Sequence, residues 1–328
     1  MLSDLVLNYF KEKTCLVTGG TGLIGRQVVK MLCDAGGYVE IISLDKLNID
    51  ERASHFYGDL SDFTICKSVT KNKDFVFHIA GVKGSVEVTK SKPASFFVPL
   101  LMMNTNILEA CRINNVKKVV YTSSVGAYSS AEIFKEDENL EGPPMDMFPG
   151  WAKRMAEKQV ESYSIQYGLK NFAVTRISNC YGKGDNFDPK NAMVIPTLMQ
   201  RIYDKENPVV IWGDGSAVRD FAYSKDVAEG IIQALYYGTN GKFVNLGSGE
   251  GVTIKQLVET LHSFIDFNYE FDISKSSGFP KRVMDISLAK KMINYNPTTS
   301  LLDGLKETWE WFINNPNEYI NKQNYFKD

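Results

Sequence analysis

Residues 15–25 read Cys-Leu-Val-Thr-Gly-Gly-Thr-Gly-Leu-Ile-Gly. A short apolar run leads into glycines at 19, 22 and 25, and helix-spaced apolar residues follow: Ile24, Val28, Val29, Met31 and Leu32. A strand, a tight turn and a helix start in that order bring unpaired N–H groups and a helix dipole up to a pyrophosphate. Gly19, Gly22 and Gly25, with Leu23 and Ile24 between them, are therefore read as a dinucleotide loop. Asp45 follows the second apolar run, 20 residues after Gly25. A carboxylate there can bond ribose hydroxyls and repel a 2′-phosphate, which favours NAD over NADP. Arg26 and Lys46 argue the other way, since either could meet a phosphate. Asp59 and Leu60 follow a third strand and could border the adenine, with a helix N-cap as the alternative role for Asp59.

The elements that must position these residues alternate. Strands are expected at Thr14–Thr18, Tyr38–Leu44, Asp74–Ile79, Lys118–Ser123 and Phe172–Ile177, and helices at 22–35, 94–114 and 151–167. That rhythm predicts an α/β fold, a Rossmann-type doubly wound parallel sheet with helices on both faces. After about Tyr181 the rhythm loosens. A loop over Gly182–Pro189, a helix at Val194–Asp204, a strand at Val209–Trp212 and a helix at Thr253–Phe264 suggest a smaller C-terminal substrate-binding lobe. Lys242–Leu246 reads as a late strand rejoining the main sheet. The expected division is 1–181 with 219–247 for the dinucleotide, and 182–218 with 248–328 for the substrate.

The chain has 328 residues, 44% of them hydrophobic, and a net charge of -2. Length and composition support a large core, and the charge gives no reason to expect a nucleic-acid binder. No leader-like N-terminus and no run of about 18 apolar residues is seen, so neither a signal peptide nor a membrane partner is expected. Five scattered cysteines lack metal-ligand spacing and read as reduced thiols of a cytoplasmic protein, with no metal site.

With these motifs in hand, the chain resembles the extended short-chain dehydrogenases of the nucleotide-sugar epimerase/dehydratase family from about Thr14 to Phe312. The matching stretches are Thr18–Gly25, Phe77-His-Ile-Ala80, Thr122-Ser-Ser124, Lys153, Asn179-Cys-Tyr-Gly182, Val194-Ile-Pro196, Arg219-Asp-Phe221 with Asp226, Asn245-Leu-Gly247 and Pro280-Lys-Arg282. Trp151-Ala-Lys-Arg154 and Asp185-Asn-Phe-x-Pro189 are most similar to the enzymes acting on GDP-sugars. The resemblance implies NAD as cofactor, with Ala80 beside it, a nucleotide-linked and specifically GDP-linked sugar as substrate, and a homodimer pairing through the helices at 94–114 and 151–167. It implies that Ser124 bonds the oxygen on the carbon that exchanges hydride and that Lys153 holds the nicotinamide ribose. It places Asn179, Val194, Arg201, Trp212, Arg219 and Arg282 at the substrate, where guanidinium groups can grip phosphates and an indole can flank a base; Lys83, near the cofactor and counted with the substrate residues, is a further candidate to replace the missing proton carrier. Surface salt bridges are the alternative for the arginines, core packing for Trp212, and a free surface lysine for Lys83.

The departures from the family pattern carry equal weight. The family's tyrosine falls at Pro149, and its inverting cysteine and histidine fall at Gly126 and Met193. None of these can move a proton. The dehydratase Asp-Glu pair falls at Val125-Gly126. Oxidation or reduction at C4 fits these losses better than dehydration or 3,5-epimerisation. A 4-epimerase and an inactive binding protein are the other two readings. Tyr128, four residues after Ser124, is a candidate replacement, with core packing as its alternative. Asp137, Glu138, Glu141 and Asp146 lie on the same loop and read first as solvated charges.

Overall fold

The computed structural model describes residues 2–138 and 140–322. Seven parallel strands form the main sheet: β1 (Thr14–Thr18), β2 (Tyr38–Ser43), β3 (Ser54–Tyr57), β4 (Phe75–His78), β5 (Lys118–Ser124), β6 (Phe172–Ile177) and β7 (Phe243–Leu246). Their order is β7-β6-β5-β4-β1-β2-β3. The chain runs outward from β1 to β3, then returns to the other side of β1 through β4. The switch of direction between β1 and β4 opens a crevice at the strands' C-terminal ends.

Alternation along each strand feeds two cores. In β1, Cys15 and Val17 point to one face, with the Gly25–Asp34 and Ser224–Tyr237 helices; Leu16 points to the other, with the Pro93–Ile113 and Met147–Tyr167 helices. A third cluster, including Ile195, Met199, Ile211, Leu257, Leu305 and Phe312, forms the core of the C-terminal elements. There Val218–Arg219 pairs with both Val252–Thr253 and Lys281–Met284, and Val209–Trp212 pairs with Tyr269–Asp272.

The Pro93–Ile113 helix is the one among the described residues long and apolar enough to cross a membrane, although no such run is expected from the sequence. Phe96, Leu100, Met103, Ile107 and Leu108 are buried in the second core, so its apolar character serves packing on the sheet. The Met147–Tyr167 helix begins four residues before the expected Trp151. Pro149 falls in its first turn, where a missing N–H leaves no intrahelical bond unmade.

A file of polar groups crosses the second core. The Thr18 hydroxyl meets His78 Nδ1 at 2.9 Å and accepts from the Ile79 and Ala80 N–H groups at 3.1 Å each. His78 Nε2 meets Asn104 Oδ1 at 2.9 Å, the Asn104 amide donates to the Tyr121 hydroxyl at 3.2 Å, and Tyr121 donates to the Lys153 carbonyl at 3.4 Å. Donors and acceptors match along the file when His78 is neutral with its proton on Nε2. Burial, aided by the Lys153 charge, lowers its pKa to about 3. Unfolded histidine titrates near 6.5, so below that pH the unfolded chain takes up a proton that the folded chain refuses. His78 therefore removes stability as pH falls from about 6.5 toward 3, at up to roughly 1.4 kcal/mol per pH unit. Thermal melts between pH 7 and 4 are expected to show a shallower decline in His78→Gln than in the unaltered protein.

Candidate active site

The glycine loop sits at the switch point because neighbouring backbones leave no room for side chains. A Cβ on Gly19, which has φ +68°, would lie 2.8 Å from Ala80 Cα; one on Gly25 would lie 2.2 Å from the Gly19 carbonyl oxygen. Gly22 differs. A Cβ there meets nothing closer than 3.4 Å, so the internal packing leaves room for a side chain. Its bare backbone instead borders the crevice, as close approach to a pyrophosphate requires. The loop thus fits a dinucleotide phosphate. Leu23 and Ile24 lead into the Gly25–Asp34 helix. Thr21 donates to Asp45 Oδ2 at 2.9 Å, holding that carboxylate at the loop. Asp59 accepts from Ser61 N–H, whereas the side chain of Asp62 caps the following helix, so the cap role considered for Asp59 belongs to its neighbour. Leu60 is buried beneath Asn106 and Cys66, which both donate to its carbonyl.

Arg26 is not free to meet a cofactor phosphate. Its guanidinium donates to the Thr21 carbonyl at 3.0 Å, pairs with Glu318 at 2.5 Å and lies over the Trp311 ring. Lys83 is not a loose surface lysine. It pairs at 2.8 Å with Asp185, whose side chain is 2% exposed and whose second oxygen is buried without a partner. That contact ties the loop after β4 to the 182–189 loop.

Lys153 and Ser124 both lie at the C-terminal end of β5. Lys153 Nζ donates to the Thr122 carbonyl at 2.7 Å and lies over the Tyr121 ring. Burial lowers its pKa to about 8. Ser124 ends β5, and its hydroxyl accepts from Gly126 N–H at 3.1 Å. Beyond them, Arg219 and Arg282 are register partners on adjacent strands. Burial, and for Arg219 the charge of Arg282, disfavours both cations. Arg282 Nε is buried with no partner, and Asp146 at 3.5 Å is its only ion pair among the described residues. Two adjacent, under-neutralised guanidinium groups make a receptor for an anion. Arg219 also reaches the Ser277 carbonyl at 3.4 Å, and Ser277 packs on Gly213, next to Trp212.

A profile of the NAD dependent epimerase/dehydratase family matches residues 15–247. The chain belongs to that family. GDP-L-fucose synthase of Escherichia coli is 28% identical to it over 330 residues, spanning 94% of this chain and 99% of its own. The UDP-glucose 4-epimerase of Thermotoga maritima, solved with UDP-glucose, superposes with a TM-score of 0.82 at 28% identity, over 92% and 99% of the two chains. A GDP-L-fucose synthetase from Naegleria fowleri bound to NADP gives 0.79 at 25%, over 94% and 95%. Members of this epimerase/dehydratase family are nicotinamide-dependent enzymes of nucleotide sugars.

Some residues singled out from the sequence make contacts elsewhere in the fold, and others are only located by it. Tyr128 is fully buried, donates to Asn245 Oδ1 at 2.9 Å and carries the Arg176 guanidinium over its ring. Burial raises its pKa, so as a replacement for the family's phenol it is corrected to a core residue. Arg201 pairs with Glu206, five residues on, and donates to the Val210 carbonyl, which is the surface-pair alternative. Asn179 donates to the Asp220 carbonyl, and Val194 starts its helix. Trp212 is 65% exposed, which removes the core-packing alternative.

Sequence reasoning passed over Asp220. Its buried carboxylate accepts from Ser178, from Ser248 through both N–H and hydroxyl, and from Gly249 and Met284 N–H groups. Its only sequence signal was its place in Arg219-Asp-Phe221. The position given to Tyr128 is testable. Tyr128→Phe leaves Asn245 Oδ1 without this donor, so it is expected to lose roughly 1–3 kcal/mol of unfolding free energy. Calorimetry should find dinucleotide affinity unchanged.

Proposed function

We propose that this protein is an NAD-dependent oxidoreductase acting at C4 of a nucleotide-linked, specifically GDP-linked, sugar. The observation that carries the reading is the convergence of three features on one crevice. These are a glycine loop with a bare Gly22, a lysine whose ammonium is held on the Thr122 carbonyl near the end of β5 that Ser124 closes, and an under-neutralised Arg219–Arg282 pair. Residues 1–181 with 219–247 take the dinucleotide, and 182–218 with 248–328 the nucleotide sugar. Bound dinucleotide supplies the acceptor or donor of hydride. Ser124 holds the oxygen on C4, Lys153 the nicotinamide ribose, and Arg219 and Arg282 the diphosphate, with exposed Trp212 beside the base.

NAD is favoured over NADP by a carboxylate at Asp45, held at the glycine loop by Thr21, which would repel a 2′-phosphate, while Arg26 is occupied by Glu318. Likeness to GDP-L-fucose synthase supports the GDP choice. A homodimer is supported by exposed Val98 and Met102 on one long helix and Phe148, Trp151 and Met155 on the other. The missing inversion residues favour simple dehydrogenation or ketone reduction. Likeness to the T. maritima UDP-glucose 4-epimerase favours a second reading, 4-epimerisation, in which the hydride returns to the other face.

The test follows absorbance at 340 nm while GDP-L-fucose, GDP-mannose and UDP-glucose are added with NAD. Growth of the reduced-nicotinamide band with a GDP-sugar is expected. A silent trace with an epimerised product would select the second reading. Calorimetry should find NAD bound more tightly than NADP, with the gap narrowed in Asp45→Asn. Arg219→Met is expected to weaken GDP binding about 10-fold or more, the loss of a charge-assisted contact.

A further inference from the structure

We infer that Asp146 carries the proton in this reaction, doing from one helical turn away what the family's tyrosine does from position 149. The inference rests on the redox reading above. Three observations place the Asp146 carboxylate in the crevice. First, Asp146 is the N-cap of the Met147–Tyr167 helix, yet its side chain makes no capping bond. Aspartate at an N-cap ordinarily accepts from the first turn; here the carboxylate is turned elsewhere. Second, it fills the space above Gly126. A Cβ on Gly126 would lie 2.3 Å from Asp146 Oδ2 and 2.9 Å from its Cγ. The backbones lock this arrangement, with Asp146 N–H donating to the Gly126 carbonyl at 3.2 Å and Gly126 N–H donating to Ser124 Oγ at 3.1 Å. Third, Arg282 reaches the carboxylate at 3.5 Å, so it stands between Ser124 and the paired arginines.

The spacing agrees. Positions 149 and 153 lie four apart on one side of the helix, and Asp146 stands at its N-cap one turn before Pro149. Lys153 and Asp146 therefore flank Pro149. The side chain of Asp146 is 40% exposed, open to solvent for proton exchange. Two other candidates for the proton are engaged elsewhere: Tyr128 is buried against Asn245, and Lys83 is held by Asp185.

In the oxidising direction the hydrogen on C4 leaves with two electrons to oxidised nicotinamide. The proton on the C4 oxygen passes to the Asp146 carboxylate, and a C=O double bond forms at C4. The resulting carboxylic acid returns its proton to water. Reduction reverses each transfer. Because Gly126 has no side chain, the carboxylate occupies space that a cysteine there would take. Loss of the tyrosine and loss of the cysteine thus become one change.

The test uses the full chain and two readouts. Carbodiimide with glycine ethyl ester, followed by peptide mass spectrometry, should modify Asp146 in the free protein. Saturation with NAD and GDP-L-fucose, verified by calorimetry, should protect it. In 340 nm assays with the panel above, Asp146→Asn should lower kcat about 10²–10⁴-fold, the usual worth of a general acid or base. NAD affinity should be retained, and formate should partly restore Asp146→Ala. Unprotected Asp146 in the saturated protein, or Asp146→Asn within threefold of the unaltered enzyme, overturns this inference and leaves the redox reading standing. An unaltered protein that binds both ligands yet neither reduces nicotinamide nor converts any panel sugar overturns both. Because the Asp146 side chain makes no capping bond, its replacement by Asn or Ala leaves the helix start intact, and circular dichroism should report an unchanged fold.

Discussion

Thr18 is one hydroxyl with three polar partners, and the crevice depends on that arrangement. By accepting from Ile79 and Ala80 N–H groups and donating to His78, it draws the end of β4 against the end of β1. The approach leaves space only for a glycine at 19. The same file continues through Asn104 and Tyr121 to the backbone of Lys153, so one hydrogen-bonded path joins the phosphate loop to the lysine. Groups buried this deeply are costly to leave unpaired. The file therefore fixes the relative placement of three sheet strands and two helices that hydrophobic packing alone would let slide.

Asp220 performs a comparable task at the other lobe. Its carboxylate gathers the ends of β6 and β7 and the Lys281–Met284 strand around one buried charge, which burial pushes toward protonation and five donors hold ionised. Arg219, its neighbour in sequence, is thereby set beside Arg282. The strand pairing brings the two guanidinium groups together against their mutual repulsion. In the proposed function an anionic diphosphate would relieve that repulsion on binding.

Proline in place of a phenol changes the local chemistry without disturbing the helix. In a first turn it removes only an N–H that has no intrahelical acceptor. Gly150 still closes the turn onto the Asp146 carbonyl at 2.6 Å. Helix position and Lys153 are retained, while proline at 149 offers no proton of its own.

Much of the nucleotide half was legible in the chain. Local patterns specify the strand before Gly19, the helix after it, the parallel rhythm and the late strand at Phe243–Leu246, because side-chain periodicity and turn chemistry act over a few residues. The family resemblance put forward Ser124, Lys153, Arg219 and Arg282 as site candidates. Other assignments depended on partners far away in sequence. Tyr128 stands four residues from Ser124, but whether it faces cleft or core was decided by Asn245 and Arg176. Arg201 looked like a phosphate ligand until Glu206 was found to neutralise it. Asp146 reads as a solvated loop charge in the sequence; the fold packs its half-exposed carboxylate over Gly126 and within reach of Arg282. The sequence by itself determined which elements form and which residue types are on hand for chemistry. The tertiary structure decided which of those side chains are free, because a side chain's availability depends on neighbours that only the folded chain supplies.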